Sequence, residues 1–170
     1  MADEAKKSGI DADKVAQTAV QLLSGLKTLA NVKGISRAEL EAIYKIGYGF
    51  YNTGKADDAE KIFYFLCLFD HTNAKYWTAL GAVRQMKKKF DEAVKAYAAA
   101  ALFDLHLPKP HYHSAECALA QGDLDAAESG CRTLLHYCPA DVGQNNEYRA
   151  KAEKLLKVVA ELRKNAQNKE

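Results

Sequence analysis

Long apolar runs are missing from this 170-residue chain. The longest, AYAAAALF at 96–103, is mostly alanine and falls far short of the ~18 residues that a membrane span requires. The N-terminal MADEAKKSG lacks the apolar core of a secretory signal. Its four cysteines, Cys67, Cys117, Cys131 and Cys138, stand far apart with no CxxC pair, so buried free thiols in a reducing compartment are expected. Three prolines and ten glycines leave little material for long loops. Charge of one sign is scarce too: 24 Lys and Arg face 22 Asp and Glu, a net charge of +2. The densest basic run, Lys87-Lys88-Lys89, reads as a solvated corner, and no nucleic-acid partner and no direct membrane insertion are expected. The length suits one domain with a full core, soluble and cytoplasmic.

Signs of catalysis are equally scarce. There is no GxxxxGK[ST] phosphate loop. His111, His113 and Cys117, at spacings of two and six on one helix, point to different faces, which disfavours a shared tetrahedral metal site. Cys131 and Cys138 lie about 10 Å apart along a helix, too far for a disulfide. No Ser or Cys nucleophile is recognisably joined to a base. Asp57, Asp58, Asp123 and Asp125 fall where helices should begin, as caps and dipole partners. No enzyme and no cofactor are expected.

What is present is a period of 34. Gly47 falls on Gly81, Ala59 on Ala93 and then Ala127, Phe63 on Tyr97, and Asp70 on Asp104. That period and its small-residue positions match the tetratricopeptide repeat, a helix–turn–helix. The fold class expected is all-α: three repeats at 40–73, 74–107 and 108–141 forming a concave superhelix, with an N-terminal helix and a C-terminal capping helix. Trp77, Leu80, Gly81, Phe90, Ala93 and Tyr97 bring the second repeat close to the full signature, and Pro139 closes the third. Arg84 and Ala56 replace usual aromatics. Pro108 and Pro110 are expected to delay the third repeat's first helix to about His111.

The organisation is then 1–35 as tail and amphipathic helix, 36–141 as repeats, and 142–170 as cap and tail. Ser36 and Glu39 form a capping box that starts the first repeat helix. Ala152, Leu155, Leu156, Val159 and Leu162 make one stripe of the terminal helix, covering the last apolar face. Residues 12–33 read as a single helix with Val15, Ala19, Leu22, Leu26 and Leu29 on a heptad-like seam. That seam packs either on the repeats or on a second copy of the chain, with Leu22, Leu26 and Leu29 as the dimerisation residues.

In this repeat the first helix lines the concave face. Ile43, Ile46, Gly47 and Phe50 are assigned to the packed interior, and Tyr44, Tyr48 and Tyr51 form a separate stripe facing the groove. The equivalent positions are Thr78, Ala82 and Gln85, then Tyr112, Glu116 and Leu119. Two readings stand: the tyrosines finish the inner wall of a tight superhelix, or they form apolar pockets for an extended peptide. Burying one anchor in such a pocket supplies roughly 1.5–3 kcal/mol. Tyr44 and Tyr48 stand where repeats that clamp acidic C-terminal tails place lysine and asparagine.

The run GISRAELEAIYKIGYGFYNTGKADDAEKIFYFLCLFDHTNAKYWTALGAVRQ, followed by YHSAECALAQGDLDAAESG and preceded by SGLKTLANVKGIS, resembles the class II chaperones of bacterial type III secretion systems. The resemblance spans about 22–135. It implies a cytoplasmic bacterial chaperone for the two hydrophobic translocator proteins that form a pore in a host membrane. It also implies a Pro- and Leu-containing linear segment in the groove, and carries the groove role to Tyr44, Tyr48 and Tyr51. Ala56 departs from a frequent tyrosine, and the near-neutral charge departs from the family's acidic character. The alternative kept open is a tetratricopeptide-repeat adaptor that binds a folded protein partner.

Overall fold

The computed structural model describes residues 11–168. The N-terminal tail, with the expected absence of a secretory signal, lies outside the described residues. Among the described residues the ordered elements are all helices: α1 (Ala12–Leu23), α2 (Leu29–Lys33), α3 (Arg37–Asn52), α4 (Ala56–Phe69), α5 (Ala74–Met86), α6 (Phe90–Phe103), α7 (Pro108–Ala120), α8 (Leu124–Tyr137) and α9 (Asn145–Gln167). Three helical hairpins, α3/α4, α5/α6 and α7/α8, stack in register with the 34-residue period, and α9 packs on α8 and α7.

Each hairpin closes around one small residue. A Cβ on Gly47 would lie 2.7 Å from Ile62 Cγ2 and 3.0 Å from the Phe63 ring. A Cβ on Gly81 would lie 2.6 Å from the buried Tyr97 ring. At the same two positions the third hairpin has Ala115 and Cys131, both wholly buried. The larger small residue is matched by a smaller partner, so the helices still touch.

The first turns repeat another device. Trp77 Nε1 donates to the His71 carbonyl at 2.7 Å, and one period later His111 Nε2 lies 2.9 Å from the Leu105 carbonyl. The buried His111 thus holds an inter-repeat turn, and among the described residues no cluster of metal-ligating side chains forms.

The capping box at Ser36 is present: the Glu39 backbone N–H donates to Ser36 Oγ at 3.2 Å, and the Ser36 N–H donates to Glu39 Oε2 at 2.8 Å. Asp123 caps α8 through the Ala126 N–H at 2.9 Å. All four cysteines are free and buried. Burial pushes the Cys67 thiol up to about 12 and those of Cys117 and Cys131 up to about 11.

Four expectations need correction. The helix expected over 12–33 is broken: α1 ends at Leu23, Gly25 takes φ +72°, and Leu26 lies between helices, 78% exposed. Left-handed geometry just past a helix end is glycine's usual place, so the seam that joined Leu22, Leu26 and Leu29 is not one helical stripe. The third repeat's first helix begins at Pro108, not His111, because the first turn needs no backbone donor from Pro108 or Pro110. Ile46 is 56% exposed. Its equivalent Leu80 is wholly buried in the middle repeat, whereas among the described residues no repeat precedes α3 to cover Ile46. Lys87 is not simply solvated either. Its Nζ reaches Asp57 at 2.5 Å and Glu60 at 2.6 Å on α4, which raises its pKa.

Candidate functional site

The concave side holds a groove of about 590 Å³, lined by the first helices of all three hairpins and by the start of α9. Tyr44, Tyr48, Tyr51, Thr78 and Ala82 all line it, as their positions in the repeat require. The three tyrosines stack along α3: Tyr44 and Tyr48 ring centres are 6.2 Å apart, and Tyr48 and Tyr51 6.1 Å. At the base of the stack Tyr44 meets Phe63 at 5.5 Å and Tyr76 at 5.8 Å. Tyr44 therefore belongs to both core and groove, and burial raises its phenol pKa. Tyr48 is 49% exposed and is the ring most available to a ligand. The Thr78 hydroxyl donates to the Ala74 carbonyl at 2.7 Å and so is taken up within its own helix.

Gln85 and Tyr112 do not line this groove. Gln85 joins the walls: Tyr97 Oη donates to Gln85 Oε1 at 2.7 Å, and Gln85 Nε2 donates to Glu116 Oε2 at 3.3 Å. His113 Nδ1 lies 2.7 Å from the same Glu116 oxygen. Burial pushes the Glu116 carboxyl up, but the bonds from His113, Gln85 and Tyr112 outweigh it and hold its pKa low. The Tyr112 ring packs on Tyr148 at 5.6 Å, and burial with the Glu116 charge pushes its phenol up to about 12.

Counting within the repeat missed the groove's other wall, which is built by Pro108, Lys109, Pro110 and His113 of α7 with residues 142–145 and Tyr148. His113 stacks on Tyr97 at 5.8 Å and meets Tyr148 edge-on at 5.9 Å. Tyr148 lies outside the period, so nothing in the repeat pattern could have placed it here. Lys75 and Lys109 were accessible to such counting, since both are second in their repeats.

A three-hairpin solenoid with an aromatic concave groove defines a tetratricopeptide-repeat ligand-binding protein, and the family profile described as "Tetratricopeptide repeat" matches residues 40–73 and 74–104. Over 108 residues the chain is 39% identical to low calcium response locus protein H of Yersinia pestis. That stretch is 64% of this chain and 64% of the Yersinia protein, just under two thirds of its length. A solved type III secretion complex from Aeromonas hydrophila matches with TM-score 0.81 and 36% identity, over 88% of this chain and 98% of that one. The Yersinia enterocolitica type III secretion chaperone SycD, in complex with a peptide of the translocator YopD, matches with TM-score 0.70 and 33% identity, over 76% and 98%. The chain belongs to the family of type III secretion translocator chaperones.

Proposed function

We propose that this protein is a bacterial cytoplasmic chaperone that holds an extended, Pro- and Leu-containing segment of a hydrophobic translocator in its concave groove. The observation that carries the reading is the Tyr44–Tyr48–Tyr51 stack along α3, which lines the groove. Membrane-seeking segments of such a client aggregate when exposed in water, and a bound anchor keeps the client in solution. No helix among the described residues is long and apolar enough to cross a membrane. Residues 36–141 carry the repeats and most of the groove and the cap after residue 142 closes its far end, while the amphipathic segment within 1–35 packs either on the repeats or on a second copy of the chain. Chemistry on the client is not part of the reading, nor is a cofactor: binding and release follow mass action.

Titration with a synthetic Pro-x-Leu-x-x-Pro peptide tests it. Saturable micromolar binding is expected, weakened at least tenfold by Tyr48→Ala with the thermal midpoint unchanged, since one lost anchor contact is worth about 1.5 kcal/mol or more. Equal loss of stability and binding would make Tyr48 a core residue, and no binding by folded protein would remove the groove from the function.

A further inference from the structure

The second position of each repeat falls at Glu41, Lys75 and Lys109, and the two lysines line the groove. The first two rungs of this ladder satisfy each other. Lys75 Nζ lies 2.8 and 2.9 Å from the two Glu41 carboxylate oxygens, and 3.8 Å from the centre of the Tyr44 ring. Lys109 is the third rung, and the rung before it is Lys75, a cation already paired with Glu41. Glu147 feels the Lys109 charge but is held by Lys151 at 2.5 Å. Among the described residues Lys109 forms no ion pair, and no Asp or Glu lines the groove. An apolar channel thus carries a cation at its third-repeat end and no anion in its wall. A peptide laid along it displaces water from around that ammonium group and strengthens any charge attraction there.

We infer that Lys109 selects a carboxylate: the segment held in the groove carries an Asp or Glu beside its apolar anchors, and that side chain pairs with Lys109. The inference rests on the groove reading above and adds register to it. The tyrosine stack on α3 and Lys109 on α7 are separated by α5, so two helix spacings of about 10 Å each lie between them, about six residues of extended chain. The carboxylate therefore falls about six positions from the anchor seated on the tyrosine stack. Lys75, neutralised by Glu41 and lying on Tyr44, contributes its stem to the wall.

The test is a Pro-x-Leu-x-x-Pro peptide lengthened by six x positions at each end, carrying Glu, Gln or Lys at each x in turn, titrated against the full chain. At one x, Glu is expected to bind about threefold tighter than Gln, the scale of a solvent-facing ion pair. The preference should fade in about 0.5 M salt. Lys109→Gln should abolish it and Lys109→Glu invert it in favour of the Lys peptide, with circular dichroism confirming the fold. Lys61→Glu, at an exposed lysine of α4, should leave it intact. Equal binding of all three peptides at every x, still lost in Tyr48→Ala, overturns carboxylate selection and leaves the groove reading standing. A Glu preference that survives in Lys109→Gln overturns the assignment to Lys109. No saturable binding of any peptide overturns the groove reading and this inference together.

Discussion

Gly81 and Gly49 both sit inside helices, and substitution should move stability in opposite directions. A Cβ at Gly81 meets the Tyr97 ring at 2.6 and 2.7 Å, and Tyr97 is buried with its hydroxyl fixed on Gln85. Gly81→Ala is expected to cost about 1–3 kcal/mol by overpacking. Gly49 has open space around it, so Gly49→Ala is expected to add about 0.5–1 kcal/mol of stability. Urea denaturation of both variants checks the pair; an unaltered midpoint for Gly81→Ala would show that the Tyr97 ring can give way. The contact behind this prediction was readable as a glycine and an aromatic recurring together at a spacing of 34. The third hairpin hides it, because Ala115 and Cys131 preserve the fit without either residue type. Ile46 was misread for a related reason: periodicity gives the face a residue shares, not whether a neighbour exists to cover that face.

Among elements, α1 is the one whose apolar side has least to rest on. Val15, Val20 and Leu23 are all exposed, Leu23 by 89%, and Leu26 just beyond the helix by 78%. α2 by contrast seats Ala30 in the core. If α1 pairs two copies of the chain, Leu23→Ser with Leu26→Ser should raise the dimer dissociation constant at least about tenfold. The same pair should leave the melting of the repeats unchanged, since neither side chain is packed. Sedimentation equilibrium decides: an unchanged dimer in the double variant would remove this segment from the interface. The heptad-like spacing foretold the apolar side but not the break, where Gly25 ends the helix before the seam is complete. The start of α7 was similarly legible only in part. Two prolines announce a boundary, but the rules that forbid them inside a helix permit them in its first turn. α9 was visible as a capping stripe, while the place of Tyr148 in the groove depends on how the cap turns back after α8.

At the scale of the whole molecule, one contact recurs from end to end. Asp57, Asp91 and Asp125 open the second helices, and each is reached from the next layer: by Lys87 at 2.5 Å, by Gln121 at 2.6 Å, and by Arg163 of the cap. Stacked layers tied in this way should unfold as one unit, and the thiols at opposite ends can report it. Cys67 lies in the first hairpin and Cys117 in the third, with folded pKa values raised from 9.0 by burial to about 12 and about 11. Between pH 9 and 11 these thiols release protons on unfolding and not before. Their contribution to stability is therefore complete below pH 9 and is lost as pH rises through that window, by at most about 1.4 kcal/mol per pH unit for each thiol. The thermal midpoint should fall from pH 9 to 11, and Cys67→Ala and Cys117→Ala should each make that fall shallower in a single shared transition. Lysine deprotonation contributes alike to parent and variants, so the difference in slope isolates the thiol. Two separate transitions, each sensitive to only one of the substitutions, would mean that the layers at the two ends unfold independently and that the aspartate contacts do not couple them.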